Sequence, residues 1–258
     1  MTQTPIPKMP FDMPAYQHPA FGQIQDSKFL DVVTTRRSVR RFTNKAIPDD
    51  VLNACIDIAM LAPNSSNLQP WEFYIIETPP IRKKAVEFCM GQNAAKTANR
   101  LLAVVARSDT WAQHAKDILN TYPVQPVPKS VNTYYTKLIP VEFITSPLNI
   151  LSPAKHALVK ATRLAKGAMK EPMYTQDDIK NWAVANTMLA AQNLMLALRA
   201  YGFDSCAMGG FDEPQMKKLL GLGEHHHIAM MLAAGERAEN GLYAPQQRFD
   251  RERFIKTV

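Results

Sequence analysis

The sequence predicts an α+β domain in which a few short strands are scattered among longer helices. Apolar, aromatic or β-branched runs of strand length occupy residues 71–76, 101–106, 205–208 and 228–234. Between them lie segments with helix start and stop signals, the longest closing at Tyr201 before Gly202. The 258 residues are 46% hydrophobic and 21% charged, which supplies one sizeable core and excludes a disordered tail or a fibrous repeat. The longest clean apolar runs, 101–106 and 228–234, fall far short of the roughly 20 residues that cross a bilayer, so no transmembrane helix is expected.

Residues 1–28 carry Pro5, Pro7, Pro10, Pro14 and Pro19 without a contiguous apolar stretch, and read as an extended arm ahead of a single domain at 29–258. With no secretory h-region, a cytoplasmic protein is expected. Cys55, Cys89 and Cys206 are odd in number and lack a C-x-x-C pair, which suits reduced core thiols. A short helix is expected from Ser27 or Lys28 to Thr34. A second starts at Pro48-Asp49-Asp50, where acidic residues suit the helix dipole, and stops at Pro63, with Val51, Leu52, Cys55, Ile58 and Ala59 on one face. Residues 64–70 form a loop, 71–76 a strand, 80–89 a helix and 101–106 a buried strand.

Between Thr110 and Lys180 the pattern is irregular, interrupted by Pro123, Pro126, Pro128, Pro140, Pro147, Pro153 and Pro172, and reads as an insertion at 110–180. Within it, 153–169 predicts a helix with Leu158, Ala161, Leu164, Ala165 and Ala168 on one side and Lys155, Arg163, Lys166 and Lys170 on the other. Such a basic amphipathic helix either packs on its own domain, the expected case, or lies on a membrane surface. Asp177-Asp178 opens the longest helix, whose apolar positions Ala185, Met188, Leu189, Gln192, Leu196 and Leu198 nearly encircle it and predict a centrally buried element. A strand at 205–208, a helix at 213–220 and a fully buried strand at 228–234 complete the chain.

Absent motifs narrow the chemistry. The ten glycines never form G-x-G-x-x-G or G-x-x-x-x-G-K, and neither G-x-S-x-G nor H-E-x-x-H occurs. His225-His226-His227 would point to alternate faces of an extended segment, and a polar turn into the last strand explains them better than a metal; none is expected. Three segments remain. The stretch 36–45 holds five cations, with no acid between Asp31 and Asp49, and either a dianionic phosphate or a solvated basic turn explains it. Asn64, Ser65, Ser66, Asn67 and Gln69 form a dense set of amides and hydroxyls that can read a uracil-like edge, although turn chemistry accounts for the Asn and Ser residues equally well. Met208-Gly209-Gly210 places two residues without β-carbons past a buried strand, where backbone N–H groups can approach a ring or simply turn the chain. Together the three suit the parts of a flavin mononucleotide.

In this combination the chain resembles the FMN-dependent nitroreductase family. The signature R-[RHS]-S-x-[RK]-x-[FY] stands at Arg36-Arg37-Ser38-Val39-Arg40-Arg41-Phe42, and the motif P-S-S-x-N-x-Q-P-W at Pro63-Asn64-Ser65-Ser66-Asn67-Leu68-Gln69-Pro70-Trp71. The late A-x-Q-N-L-x-L helix stands at Ala190 to Leu198, running on to Gly202. The resemblance spans about 29–108 and 182–249. It implies a nitroreductase-like fold, with a central, mainly antiparallel sheet surrounded by helices, in an intertwined homodimer. It also implies that FMN is held by Arg36, Ser38 and Arg40, with Arg37 beside them and Arg248 as the C-terminal phosphate cation. Pro63, Asn64, Ser65 and Asn67 would come from the partner subunit, Asn93 would stand for a mid-chain flavin reader, and Met208, Gly209 and Gly210 would present backbone to flavin N5 and O4. Family members often carry Glu-Gly at that last place, so Gly209 departs from the pattern.

The activity implied is ping-pong reduction of nitroaromatics, quinones or similar acceptors by NAD(P)H, with no side-chain acid or base required. Reductive dehalogenation, enone reduction and flavin cleavage are the alternatives within the family. The insertion at 110–180 would then be a lid that shapes the acceptor site, with Tyr134 and Tyr135 as candidate acceptor contacts or as ordinary packing. The net charge of +7 also raises a nucleic-acid or membrane binder. Nucleic-acid readers interleave aromatics with their cations, however, and the 36–45 run offers only Phe42, so neither partner is expected.

Overall fold

The computed structural model describes residues 29–146, 150, 152–167 and 171–258. The arm read at 1–28, the start of the first helix at Ser27 or Lys28, and Ala168 and Lys170 of the amphipathic helix lie outside the described residues. Strands β1 (Trp71–Ile75), β2 (Arg100–Arg107), β3 (Asp204–Met208) and β4 (His226–Gly235) form one antiparallel sheet in the order β1-β2-β4-β3. The central strand β2 is an uninterrupted apolar run because both of its faces are covered. Leu102 and Val104 pack with Leu232 and Met230 against α2 (Asp49–Met60) and α9 (Gln176–Ala200). Leu101, Ala103 and Val105 pack on the opposite side against residues of α3 (Pro79–Phe88), α4 (Asn93–Thr97) and α10 (Glu213–Leu220). The α+β expectation holds, as a sheet sandwiched between two helical layers.

The basic segment after α1 (Phe29–Thr35) is laid along the free edge of β3. Ser38 bridges Ser205, Val39 N–H donates to the Ser205 carbonyl at 3.0 Å, and Arg40 N–H donates to the Gly241 carbonyl at 2.7 Å. Phe42 then bridges Arg237, so the chain leaving β4 closes over the same edge.

Three expectations need correction. The irregular stretch at 110–180 is largely helical, with α5 (Trp111–Asn120), α6 (Lys129–Thr133), a π-helical turn (Tyr134–Leu138), α7 (Ile139–Phe143) and α8 (Ser152–Lys166). Several of the prolines read as interruptions open helices instead. Pro128 is the N-cap of α6, Pro140 lies in the first turn of α7 and Pro153 in that of α8, where a missing N–H has no intrahelical partner to lose. Ile139 and Phe143 anchor this region on Leu68 and on Ile179 and Trp182 of α9.

Helix α9, capped reciprocally by Thr175 and Asp178, is not buried all round. Ala185, Met188, Leu189 and Gln192 form an exposed stripe at i, i+3, i+4 and i+7, while Ala183, Ala190, Ala191, Leu194 and Leu198 are buried. Helix α8 is turned opposite to expectation. Its expected packing residues Leu158, Ala161, Leu164 and Ala165 are exposed, and the side chain buried there is Val159.

Gly241 makes a falsifiable statement about this packing. A β-carbon there would lie 2.6 Å from the Arg41 carbonyl oxygen and 2.8 Å from that of Ala238, both backbone atoms. Gly241→Ala is therefore expected to destabilise the protein by about 1–3 kcal/mol through overpacking, read as a lower urea midpoint at unchanged m-value. An unchanged midpoint would show that the 238–241 turn does not clamp the Arg40 segment.

Candidate functional site

Three of the five cations of the 36–45 run come together, while Lys45 pairs with Glu236. Arg36, Arg37, Ser38 and Arg40 line a cavity of about 330 Å³ whose other wall is residues 242–248, including Tyr243 and Arg248. Arg37 donates to the Ala244 carbonyl at 2.5 Å, which ties the two walls together. No carboxylate lines this cavity. The buried Asp204 at the start of β3 has a carboxylate that accepts from Arg199 at 3.3 Å and lies 3.8 Å from Arg237. Burial raises the Asp204 pKa, opposed by the positive field of Arg199, Arg237 and Arg36. With four arginines and no carboxylate in its lining, the cavity has an excess of positive charge.

Arg40 also donates to Cys206 Sγ at 3.3 Å. Burial pushes the Cys206 thiol up despite that cation, so it stays protonated.

Asn93, at the start of α4, donates to the Tyr243 hydroxyl at 2.9 Å and so reaches the cavity through that residue. Hydrogen bonds from Asn93 and Arg41 hold the Tyr243 phenol below its ordinary range. Sequence reasoning missed Tyr243, Arg237 and Asp204. Tyr243 had one visible signal, as the single aromatic between the last strand and Arg248.

The amide-rich loop lies elsewhere. Register places it before β1, whose Trp71 pairs with the end of β2, whereas the arginines sit beside the start of β3 on the opposite edge. Three inter-strand gaps, roughly 14 Å, and most of a strand length separate these diagonal corners. One protomer therefore does not bring Pro63, Asn64, Ser65 and Asn67 to the cavity of Arg36 and Arg248.

The loop itself is over-determined. Ser66, Asn67 and Gln69 hold φ values of 60°, 53° and 45°, a region that side chains other than glycine rarely adopt. Fixed partners hold them there. Asn64 Oδ1 accepts from Gln69 N–H at 2.8 Å, Asn186 Oδ1 of α9 accepts from Ser65 N–H at 2.7 Å, and Thr187 donates to the Pro70 carbonyl at 3.0 Å. Tyr134 and Tyr135 close the loop from the other side, the first at 2.7 Å from Ser66 Oγ and the second donating to the Ser66 carbonyl at 3.0 Å. Both tyrosine hydroxyls thus bond the loop.

Met208 closes β3 with its side chain 2% exposed in the core, so only its backbone can face a site. Gly209 and Gly210 follow as an exposed turn. A β-carbon on Gly209 would meet nothing within 4 Å, so the protein's own packing does not demand glycine there. The Gly210 carbonyl accepts from Gln92 at 2.7 Å. At the same end of the sheet, His226 faces Glu72 at 3.8 Å and His227 lies 3.1 Å from Ser108 Oγ. A larger groove of about 670 Å³ follows the free edge of β1 beside Met60, Trp71, Phe73 and Ile118, and no Lys or Arg lines it.

Comparison with known proteins identifies the family. Residues 33–236 match the Nitroreductase family. The chain is 26% identical over 220 residues to the NADH dehydrogenase of Thermus thermophilus, covering 85% of this chain and 91% of that protein. It is 30% identical over 224 residues to Protein DrgA of Synechocystis, covering 85% and 87%. Among solved structures, the ydfN protein of Bacillus subtilis, described as a nitroreductase, superposes with a TM-score of 0.70 at 20% identity over 89% of this chain and 98% of that one. A protein from Exiguobacterium sibiricum, described as a nitroreductase in complex with FMN, gives a TM-score of 0.64 at 21% identity over 90% and 98%. With a match that runs from α1 to the end of β4 and includes both the arginine segment and the amide loop, this chain belongs to the nitroreductase family of oxidoreductases.

Proposed function

We propose that the chain is an FMN-dependent oxidoreductase that uses NAD(P)H in a ping-pong cycle to reduce nitroaromatics, quinones or similar acceptors. The observation that carries this reading is the acid-free cavity of Arg36, Arg37, Arg40 and Arg248, which fits a terminal phosphate dianion. The open space at Gly209 fits close approach of a planar ring to backbone N–H groups. The FMN complex of the Exiguobacterium protein supports the choice of cofactor. When bound, FMN supplies the hydride chemistry, which no side chain of the cavity has to perform.

The chain's own residues bind and orient. Arg36, Ser38, Arg40 and Arg248 hold the phosphate end, while the backbone past Met208 approaches the ring. Arg40 and its neighbours favour the added negative charge of a reduced cofactor electrostatically. Pro63, Asn64, Ser65 and Asn67 act on the cofactor held by the other subunit of a homodimer, because one protomer separates them from its own arginines. The exposed apolar stripe of α9 at Ala185, Met188 and Leu189 offers the surface for that association. Residues 110–180 act as a lid over the acceptor, with the rings of Tyr134 and Tyr135 on its inner side and their hydroxyls fixing the loop.

Three outcomes test this reading. The purified protein is expected to be yellow and to release FMN, not FAD, on denaturation; a colourless protein that cannot be reconstituted with FMN removes the central claim. In titrations of apoprotein, Arg36→Ala is expected to weaken FMN binding by about 1.5–3 kcal/mol, the loss of a charge-assisted contact, and Arg41→Ala by much less because Arg41 lies outside the cavity. Equal losses would misplace the phosphate. Finally, Tyr134→Phe combined with Tyr135→Phe removes two neutral hydrogen bonds from the strained loop, each worth about 0.5–1.5 kcal/mol. Fluorescence titration is expected to show several-fold weaker FMN binding, and unchanged affinity would separate the loop from the cofactor.

A further inference from the structure

Strand β3 meets the arginines with three consecutive residues. Asp204 holds Arg199 at 3.3 Å and Arg237 at 3.8 Å, Ser205 bridges Ser38, and Cys206 Sγ accepts from Arg40 at 3.3 Å. Alternation along the strand puts Asp204 and Cys206 on one face, about 7 Å apart. Because Arg40 lines the cavity, the Asp204 carboxylate stands on the order of 10 Å from a cavity guanidinium, about one Debye length. Its field also reaches Arg36.

Folding stability does not account for this charge. Asp204 is 3% exposed, and its Oδ1 has no hydrogen-bond partner among the described residues. A buried carboxylate with an unmatched oxygen is costly, and here burial outweighs the attraction of the arginines and raises the pKa. The side chains of Arg199 and Arg237 are 22% and 37% exposed, so water reaches both cations without it. An Asn of the same size would still offer Arg199 an acceptor. What only the carboxylate supplies is negative charge beside the cavity.

We propose that Asp204 limits the affinity of the arginine cavity, its charge opposing the phosphate of FMN so that the site holds the cofactor less tightly than its four arginines alone would. This rests on the cavity's being the seat of the FMN phosphate. Repulsion between one carboxylate and a phosphate dianion at this range, partly screened, corresponds to about a tenfold change in affinity.

Titration of apoprotein with FMN and with riboflavin, which lacks the phosphate, tests it. Asp204→Asn is expected to bind FMN about tenfold more tightly at low salt, a gain that shrinks as salt is added, with riboflavin affinity within about twofold of wild type. Arg237→Gln strips Asp204 of a cation that lies outside the cavity, and is expected to do the reverse, weakening FMN several-fold and sparing riboflavin. Arg237 is the more exposed partner, so this variant decides the matter if Asp204→Asn does not fold. Unchanged or weaker FMN binding by Asp204→Asn, or riboflavin affinity that shifts along with FMN, would overturn the proposal. So would Arg237→Gln protein that binds FMN like wild type. Wild-type protein that binds neither flavin would end the cofactor reading alone. Inorganic phosphate is then the probe, and it should raise the urea midpoint of Asp204→Asn more than that of wild type; an equal or smaller rise would overturn the role of Asp204.

Discussion

Helix α9 is the member on which the rest of the structure depends. Its 25 residues span roughly 37 Å and cross the sheet, burying Ala190, Ala191, Leu194 and Leu198 against strand and α2 side chains. Polar side chains along the same helix fix segments at both corners of the sheet. Near its N-terminal half, Asn186 and Thr187 hold the amide-rich loop. At its C-terminal end, Arg199 donates to Thr35 at 2.9 Å, beside the first arginine, and pairs with Asp204 at the start of β3. One rigid element therefore sets the distance between two segments that lie far apart in sequence.

That rigidity lets both segments keep unfavourable local states. The loop holds Ser66 and Gln69 in left-handed backbone, a conformation that costs of order 1–3 kcal/mol each unless the surroundings impose it. Asn64, Asn186, Thr187 and the two tyrosines supply that imposition. The arginine cavity keeps like charges together, and the backbone bonds of Val39 to Ser205 and Arg40 to Gly241 hold the segment there against their repulsion. Both costs fall where a charged, planar ligand would repay them, and they lie outside the sandwich core.

The region between β2 and α9 follows a different logic. Ile139 and Phe143 enter a small core of their own with Leu68, Ile179 and Trp182, and the edge-to-face pair of Phe143 and Trp182 fastens it to α9 at a centroid distance of 4.7 Å. Helix α8 belongs to the same region yet contributes little to any core. It is attached through hydrogen bonds and ring stacking, and its apolar arc is exposed.

Sequence and structure divide cleanly along the range of the forces involved. The four strands, α2, α9 and α10 were legible because burial imposes a period that a single segment displays, as in the unbroken apolar run of β2. The motif residues stood out by composition: a cation run with no acid, and a loop dense in amides. Proline at 128, 140 and 153 misled because the same residue breaks a helix interior and starts a first turn, and only the neighbouring hydrogen bonds tell which. What the tertiary structure alone decided is relative placement. It put the amide loop and the arginines at diagonal corners, gave both tyrosine hydroxyls to Ser66, brought Tyr243 and Asp204 to the cation cavity, and turned the leucines of α8 outward. Helical periodicity marks which residues share a face, but which way that face points depends on contacts with residues distant in the chain, such as Lys155 with the carbonyls of Glu142 and Met173.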